Sequence, residues 1–202
     1  SPYVPLGISF IAGVLEQENY DVKIINPDSS GFKLYNDLEQ LNESDVYERN
    51  LNDPNFRIWI DLEDFLRRNV FDVFGLSVTI TQFPSALRVA KLAKRINPSC
   101  VVIFGGVGVT VKPELAFEDN DVVDFVVRGE GENTIVGLLD RLKTGGNLAD
   151  LCGISYRRDG EIIHNPDAAL IQDLDKLPFP AKHLYVPLKG GEVMPPSAYG
   201  RL

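Results

Sequence analysis

Three short stretches of this chain carry the residue types that could hold a ligand. Ser77-Val78-Thr79-Ile80-Thr81-Gln82 places small hydroxyl side chains after an apolar run. Gly105-Gly106-Val107-Gly108-Val109-Thr110 would let a ligand approach bare backbone amides. Arg128-Gly129-Glu130-Gly131-Glu132-Asn133-Thr134 sets glycine-flanked carboxylates at the start of a helical pattern. Each also has a purely structural reading. Hydroxyls cap helices, Gly-Gly makes tight turns, and acidic residues favour a helix N-terminus electrostatically. In a parallel α/β sheet, however, ligands bind beyond the carboxyl ends of the strands. Three such loops on one predicted edge point to a bound cofactor.

Other chemistries find no support in the text. No Gly-x-x-x-x-Gly-Lys-Ser/Thr is present, so there is no P-loop. Gly106-x-Gly108-x-x-Val111 is an imperfect dinucleotide fingerprint that opens no long helix. His164 and His183 fall outside any ligand-spaced cluster, and His164 reads as a strand-edge residue. No Gly-x-Ser-x-Gly elbow or Cys/His dyad is evident.

The elements that must position these loops are regular between residues 58 and 142. Ile58, Leu62, Phe65 and Leu66 predict a helix ending near Asn69, acidic early and basic late, as the helix dipole prefers. Strands are expected at 72–79, 100–104 and 122–127. Helices are expected at 83–96, 113–117 and 132–142, with Pro84 near a first turn and Asn97-Pro98 as a stop. Near-continuous Val/Ile/Phe strands alternating with helices predict a parallel sheet covered on both faces. Upstream, Ile8, Ile11 and Leu15 mark a helix face, and Asp21 to Asn26 alternates like a strand. Residues 27–31 form a turn cluster, and residues 31–57 read as a polar, partly helical insertion. Downstream, residues 153–164 predict a hairpin turning at Asp159-Gly160. Beyond it, Pro166, Pro178, Pro180, Pro187, Pro195 and Pro196 predict an extended arm. The expected division is therefore 1–150 for the α/β domain and 151–202 for hairpin and arm.

Composition agrees with a globular chain. The 202 residues carry 20 Lys+Arg against 29 Asp+Glu, a net charge of −9, with 44% hydrophobic residues. That acidity argues against nucleic acid and an anionic membrane surface as partners. No apolar run approaches the ~20 residues of a bilayer span, and the amino terminus does not read as a signal peptide. Cys100 and Cys152 are not expected to form a disulfide framework, which points to a cytoplasmic location.

Several motifs occur in the order of a known family. They are Pro5-Leu6-Gly7-Ile8-Ser9-Phe10-Ile11-Ala12 with Leu15-Glu16, Gly75-Leu76-Ser77-Val78-Thr79 and Asn97-Pro98. Gly105-Gly106-Val107-Gly108-Val109-Thr110 with Pro113-Glu114 comes next, then Val123-Asp124-Phe125-Val126-Val127-Arg128-Gly129-Glu130-Gly131-Glu132. The chain resembles the N-terminal cobalamin-binding domain of cobalamin-dependent radical S-adenosylmethionine enzymes. Leu174-Asp175-Lys176-Leu177-Pro178-Phe179-Pro180 is similar to the segment that leads into their radical domain.

The resemblance implies a Rossmann-like, flavodoxin-like fold and cobalamin as cofactor. By it, Ser77 and Thr79 face the buried nucleotide tail, and Gly105, Gly106 and Gly108, with Val107 and Thr110, line its path. Glu130, Gly131 and Glu132 close the pocket near the ring, and Pro5, Leu6 and Gly7 form another part of the rim. The partner implied is the radical domain of a longer methyltransferase, and this stretch alone is not expected to be catalytic. Three departures qualify the subtype. Asp-x-His-x-x-Gly is absent, so no histidine is evidently placed to take the lower face of cobalt. Cys-x-x-x-Cys-x-x-Cys is absent too, so a [4Fe–4S] cluster and S-adenosylmethionine belong to a domain outside this stretch. Finally, the first strand of a 2-1-3-4-5 sheet is missing between the strands expected at 21–26 and 72–79. A ligand-free flavodoxin-like interaction domain, or an α/β domain using NAD or a sugar nucleotide, remain the alternatives.

Overall fold

A computed structural model describes residues 5–26 and 44–188. The elements are helices α1 (Leu6–Gln17), α2 (Ser44–Asn52) and α3 (Arg57–Arg68), then strand β1 (Val73–Ser77) and helix α4 (Phe83–Ile96). There follow β2 (Val101–Gly105), the short α5 (Val107–Val111), β3 (Phe125–Val127), α6 (Gly131–Thr144), and the hairpin β4 (Ile154–Arg158) and β5 (Glu161–His164). The turn cluster at 27–31 and most of the expected insertion lie outside the described residues.

Among the described residues, five strands form one sheet in the order β1-β2-β3-β4-β5. β1, β2 and β3 are parallel, as their Val/Ile/Phe runs predict. The hairpin continues the same sheet, β4 running antiparallel to β3 and β5 to β4. β3 begins later than expected because Asp124 interrupts the ladder. Its carboxylate accepts the Val102 N–H at 2.7 Å and pairs with Lys94 at 2.7 Å.

Alternate residues of each strand face opposite layers. Val102, Phe104 and Val126 pack with Leu62 and Leu66 of α3 and Ala90 and Ala93 of α4. Ile103, Phe125 and Val127 pack with Ile135, Leu138 and Leu139 of α6, and with Ile11 and Leu15 of α1. The two-sided cover expected from the sequence is present. Helix ends follow local chemistry. Pro84 opens α4, and α6 stops at Gly145 in the left-handed region with Gly146 N–H on the Arg141 carbonyl at 2.8 Å. Cys100 and Cys152 are both free, and burial pushes the Cys100 thiol up.

The stretch 21–26 departs from expectation. It does not join the sheet. Ile24 forms an isolated parallel bridge to Tyr185, its N–H on the Leu184 carbonyl at 2.9 Å and its carbonyl accepting from Val186 at 2.8 Å. Among the described residues, no strand pairs with the outer edge of β1. Ala12, Ile24, Ala181 and Tyr185 form a small core of their own. The proline-rich arm is therefore folded back on α1, where Ala181 N–H donates to the Ser9 carbonyl at 2.9 Å, and farther on Leu188 is buried in the core that includes α3, its carbonyl accepting from Arg68 at 3.4 Å.

Gly13 marks the closest approach of arm and helix. A Cβ there would stand 2.8 Å from the Phe179 carbonyl oxygen. Gly13→Val should lift this part of the arm, losing about 1–3 kcal/mol through overpacking. Faster hydrogen exchange at residues 181–186, with α4 and β2 unchanged, is the expected reading.

Candidate functional site

The three loops singled out by the sequence leave the carboxyl ends of β1, β2 and β3, so parallel pairing brings them to one edge. Main-chain hydrogen bonds lace the first two together. Val78 N–H donates to the Gly105 carbonyl at 2.8 Å, and Gly108 N–H donates to the Val78 carbonyl at 3.0 Å. Thr110 joins the second loop to the third. Its hydroxyl donates to the Gly106 carbonyl at 3.0 Å and accepts the Gly129 N–H at 3.1 Å.

The glycines of the second loop have a definite steric cause. Gly106 has φ +93°, and a Cβ on it would lie 2.9 Å from both N and O of Val78. A Cβ on Gly108 would come within 2.7 Å of the Thr79 carbonyl carbon. Both glycines are thus needed for the second loop to lie flat on the first. Gly105 has only an ordinary contact, 3.6 Å from the Val127 carbonyl oxygen.

Side chains around this seam face solvent. Thr79 donates to Gln82 Oε1 at 3.0 Å and sits 3.3 Å from the Thr81 hydroxyl, and Ser77 is exposed beside Gly106. Ile80 and Val107 are 65% and 71% exposed although both are large and apolar, and Val111 follows one turn later. Exposed apolar groups carried on touching loops, interleaved with hydroxyls, suit a ligand that presents both apolar surface and polar edges. Cobalamin is such a molecule, with methyl and amide groups around a broad ring, and these residues fit it.

The third loop is committed differently. Gly131 packs against Ile11, where a Cβ would meet Ile11 Cδ1 at 3.1 Å. That contact sets α1 beside this edge, with Gly7 and the exposed Leu6 roughly one turn before Ile11. Pro5 caps α1 and its carbonyl accepts the Ser9 hydroxyl at 3.0 Å. Glu132 lies in the first turn of α6. Glu130, expected near the ligand, accepts the Ile171 N–H at 2.5 Å through its Oε2. Arg128 donates to the Asn165 carbonyl and pairs with Asp167 at 3.3 Å, while its Nε is buried without a partner. Residues 165–171 are thus part of the neighbourhood. Sequence reasoning missed them because a backbone N–H partner leaves no signature in residue type.

His164 and His183 are engaged in local contacts. His164 Nδ1 lies 2.8 Å from the Ser155 hydroxyl and its Nε2 lies 3.3 Å from Glu114. His183 meets Glu16 at 2.8 Å. Among the described residues no group of His, Cys, Asp and Glu could hold a metal ion, and no helix is long and apolar enough to cross a membrane. A hollow of about 320 Å³ between Phe125, Leu148 and Tyr156 lies at the starting end of β3, away from this edge.

The B12 binding domain model matches residues 1–139. An uncharacterized methyltransferase of Pyrococcus horikoshii, PH0819, is 33% identical over 180 residues, covering 89% of this chain and 34% of its own. The cobalamin-dependent radical SAM methyltransferase TokK of Streptomyces tokunonensis is 34% identical over 110 residues, 54% of this chain and 16% of its own. This chain therefore spans about a third or less of these relatives. The structure of the radical S-adenosylmethionine methyltransferase TsrM from Kitasatospora setae, with cobalamin and a [4Fe-4S] cluster bound, shares the fold. Its TM-score is 0.58 at 16% identity, covering 89% of this chain and 29% of that one. On the match of the family model to more than half its length, the chain belongs to the B12-binding domain family.

Proposed function

We propose that this chain is the cobalamin-binding module of a longer radical S-adenosylmethionine enzyme, of methyltransferase type. The observation that carries the reading is the laced edge itself. In a chain of this family, Ile80, Val107 and Val111 stand exposed beside the Ser77 and Thr79 hydroxyls on loops that touch. Cobalamin, when bound, supplies a cobalt centre able to carry a methyl group.

The residues of this chain bind and orient. Ser77 and Thr79 offer exposed hydroxyls to amides or phosphate, Thr110 spends its hydroxyl on holding Gly106 to Gly129, and Leu6, Gly7, Ile80 and Val107 offer apolar surface. Gly106 and Gly108 keep the floor flat by letting one loop rest on another. The [4Fe–4S] cluster and S-adenosylmethionine would belong to a separate radical domain, the expected partner in a cytoplasmic enzyme. That assignment follows the relatives, which are about three times longer than this chain.

Hydroxocobalamin mixed with the purified chain and passed through gel filtration should co-elute near one equivalent, read by its visible spectrum. Val107→Asp should leave the melting temperature unchanged, because the side chain is exposed, yet weaken binding about tenfold or more. A colourless protein peak would overturn the proposal. Equal binding by wild type and Val107→Asp would place the cofactor away from Val107.

A further inference from the structure

One carboxylate oxygen of Glu130 is committed to the chain, and this gives the arm a role. Residues 165–171 are fastened along their length. Arg128 holds the Asn165 carbonyl and Asp167, the Pro166 carbonyl accepts Gly153 N–H at 2.7 Å, and Glu130 Oε2 holds the Ile171 N–H at 2.5 Å. Arg128 and Glu130 both flank Gly129, whose own N–H is tied to Thr110 and so to the glycine loop of β2. Leu170, immediately before the last fastening, is 68% exposed despite being large and apolar.

We propose that residues 165–171 form a further wall of the cofactor groove, with Glu130 as the positioning residue that holds it and Leu170 as its apolar surface. This rests on cobalamin occupying the edge described above. Glu130 then acts on the ligand through Ile171, not by touching it. A carboxylate that accepts a main-chain N–H is a strong acceptor, and without it the far end of this strap, residues 168–171, loses its fastening to the edge while residues 165–167 stay held.

Wild type, Glu130→Ala, Glu130→Gln, Ile171→Pro and the Glu130→Ala/Ile171→Pro pair would be titrated with hydroxocobalamin. Hydrogen exchange of residues 167–171 would be followed in each. Glu130→Ala should bind about tenfold more weakly and exchange faster in the strap. Glu130→Gln keeps an oxygen acceptor and should restore most of both readings. Ile171→Pro removes the donor, so it should match Glu130→Ala, and the double variant should be no worse than either. A loss of binding in Glu130→Ala that Ile171→Pro does not share would mean that Glu130 contacts cobalamin directly, which overturns the proposal. Unchanged binding in all variants overturns it as well, as does unchanged strap exchange in Glu130→Ala. Failure of the wild type to bind is a separate outcome, which removes the cofactor reading on which the wall depends. Thermal melts identify any variant that loses the fold. Should Ile171→Pro do so, Leu170→Asp, on the exposed surface, replaces it and should bind about tenfold more weakly without faster exchange at Ile171.

Discussion

Gly108→Ala should cost roughly 3 kcal/mol of stability, although it adds one methyl group to a short helix. The new Cβ would lie 2.7 Å from the Thr79 carbonyl carbon, 2.8 Å from Ile80 N and 2.9 Å from the Val78 carbonyl oxygen. All three are main-chain atoms, so no side chain can rotate away. The loops must separate, which strains the Gly108 N–H to Val78 bond of 3.0 Å and the Val78 N–H to Gly105 bond of 2.8 Å. For a domain of this size that corresponds to a fall of roughly 6–12 °C in melting temperature. Gly7 supplies the control. It lies in α1 with nothing within 4 Å of its Cβ position, so Gly7→Ala should be neutral or stabilising by about 0.5–1 kcal/mol. Equal melting of Gly108→Ala and wild type would show that the loops do not rest on each other. Because Gly108→Ala moves the loops, its loss of cobalamin binding would not by itself identify a contact. Val107→Asp, on the exposed side of the same helix, makes that distinction.

What the sequence revealed and what it hid follow from the range of the interactions. β1, β2, β3 and their helices were legible because each is encoded by its own local run of apolar residues, and parallel pairing then places three loops on one edge. The segment 21–26 has an equally good strand pattern, yet its partner is the arm at Leu184–Val186, far along the chain. Local alternation reports the fit of a strand to a surface, not which surface. How the arm packs was hidden for a related reason. Its prolines correctly exclude a helix or central strand, but they do not prevent Ala181, Tyr185 and Leu188 from being buried against α1 and α3. In the site, Thr110 was expected beside the ligand, and its bridge from Gly106 to Gly129 was not foreseen, because both of its partners are main-chain groups. The commitment of Glu130 to Ile171 could not be read, since any non-proline residue offers the same N–H.

Asn165→Ala should cost about 2–4 kcal/mol, because it removes both donors of a buried amide. Asn165 is only 6% exposed, and its Nδ2 donates to the Leu148 carbonyl at 2.6 Å and the Leu151 carbonyl at 2.8 Å. Its own N–H goes to Ile154 at 3.1 Å, and its carbonyl receives Arg128. One side chain thus fastens the loop after α6 to the end of the hairpin, and its main chain fastens both to Arg128. Asn165→Asp preserves the volume and removes the donors, facing two carbonyl oxygens with a carboxylate. It should therefore be at least as destabilised as Asn165→Ala, which separates hydrogen bonding from packing. The loss should also travel. Arg128 leads directly to Gly129 and Glu130, so hydrogen exchange at residues 129–131 should quicken and hydroxocobalamin should bind more weakly. If Asn165→Ala melts early but keeps full affinity and slow exchange at residues 129–131, the hairpin staples the fold without shaping the site. If stability and affinity fall together while Glu130→Gln stays near wild type, the hairpin, the strap and the third loop act as one support for the groove.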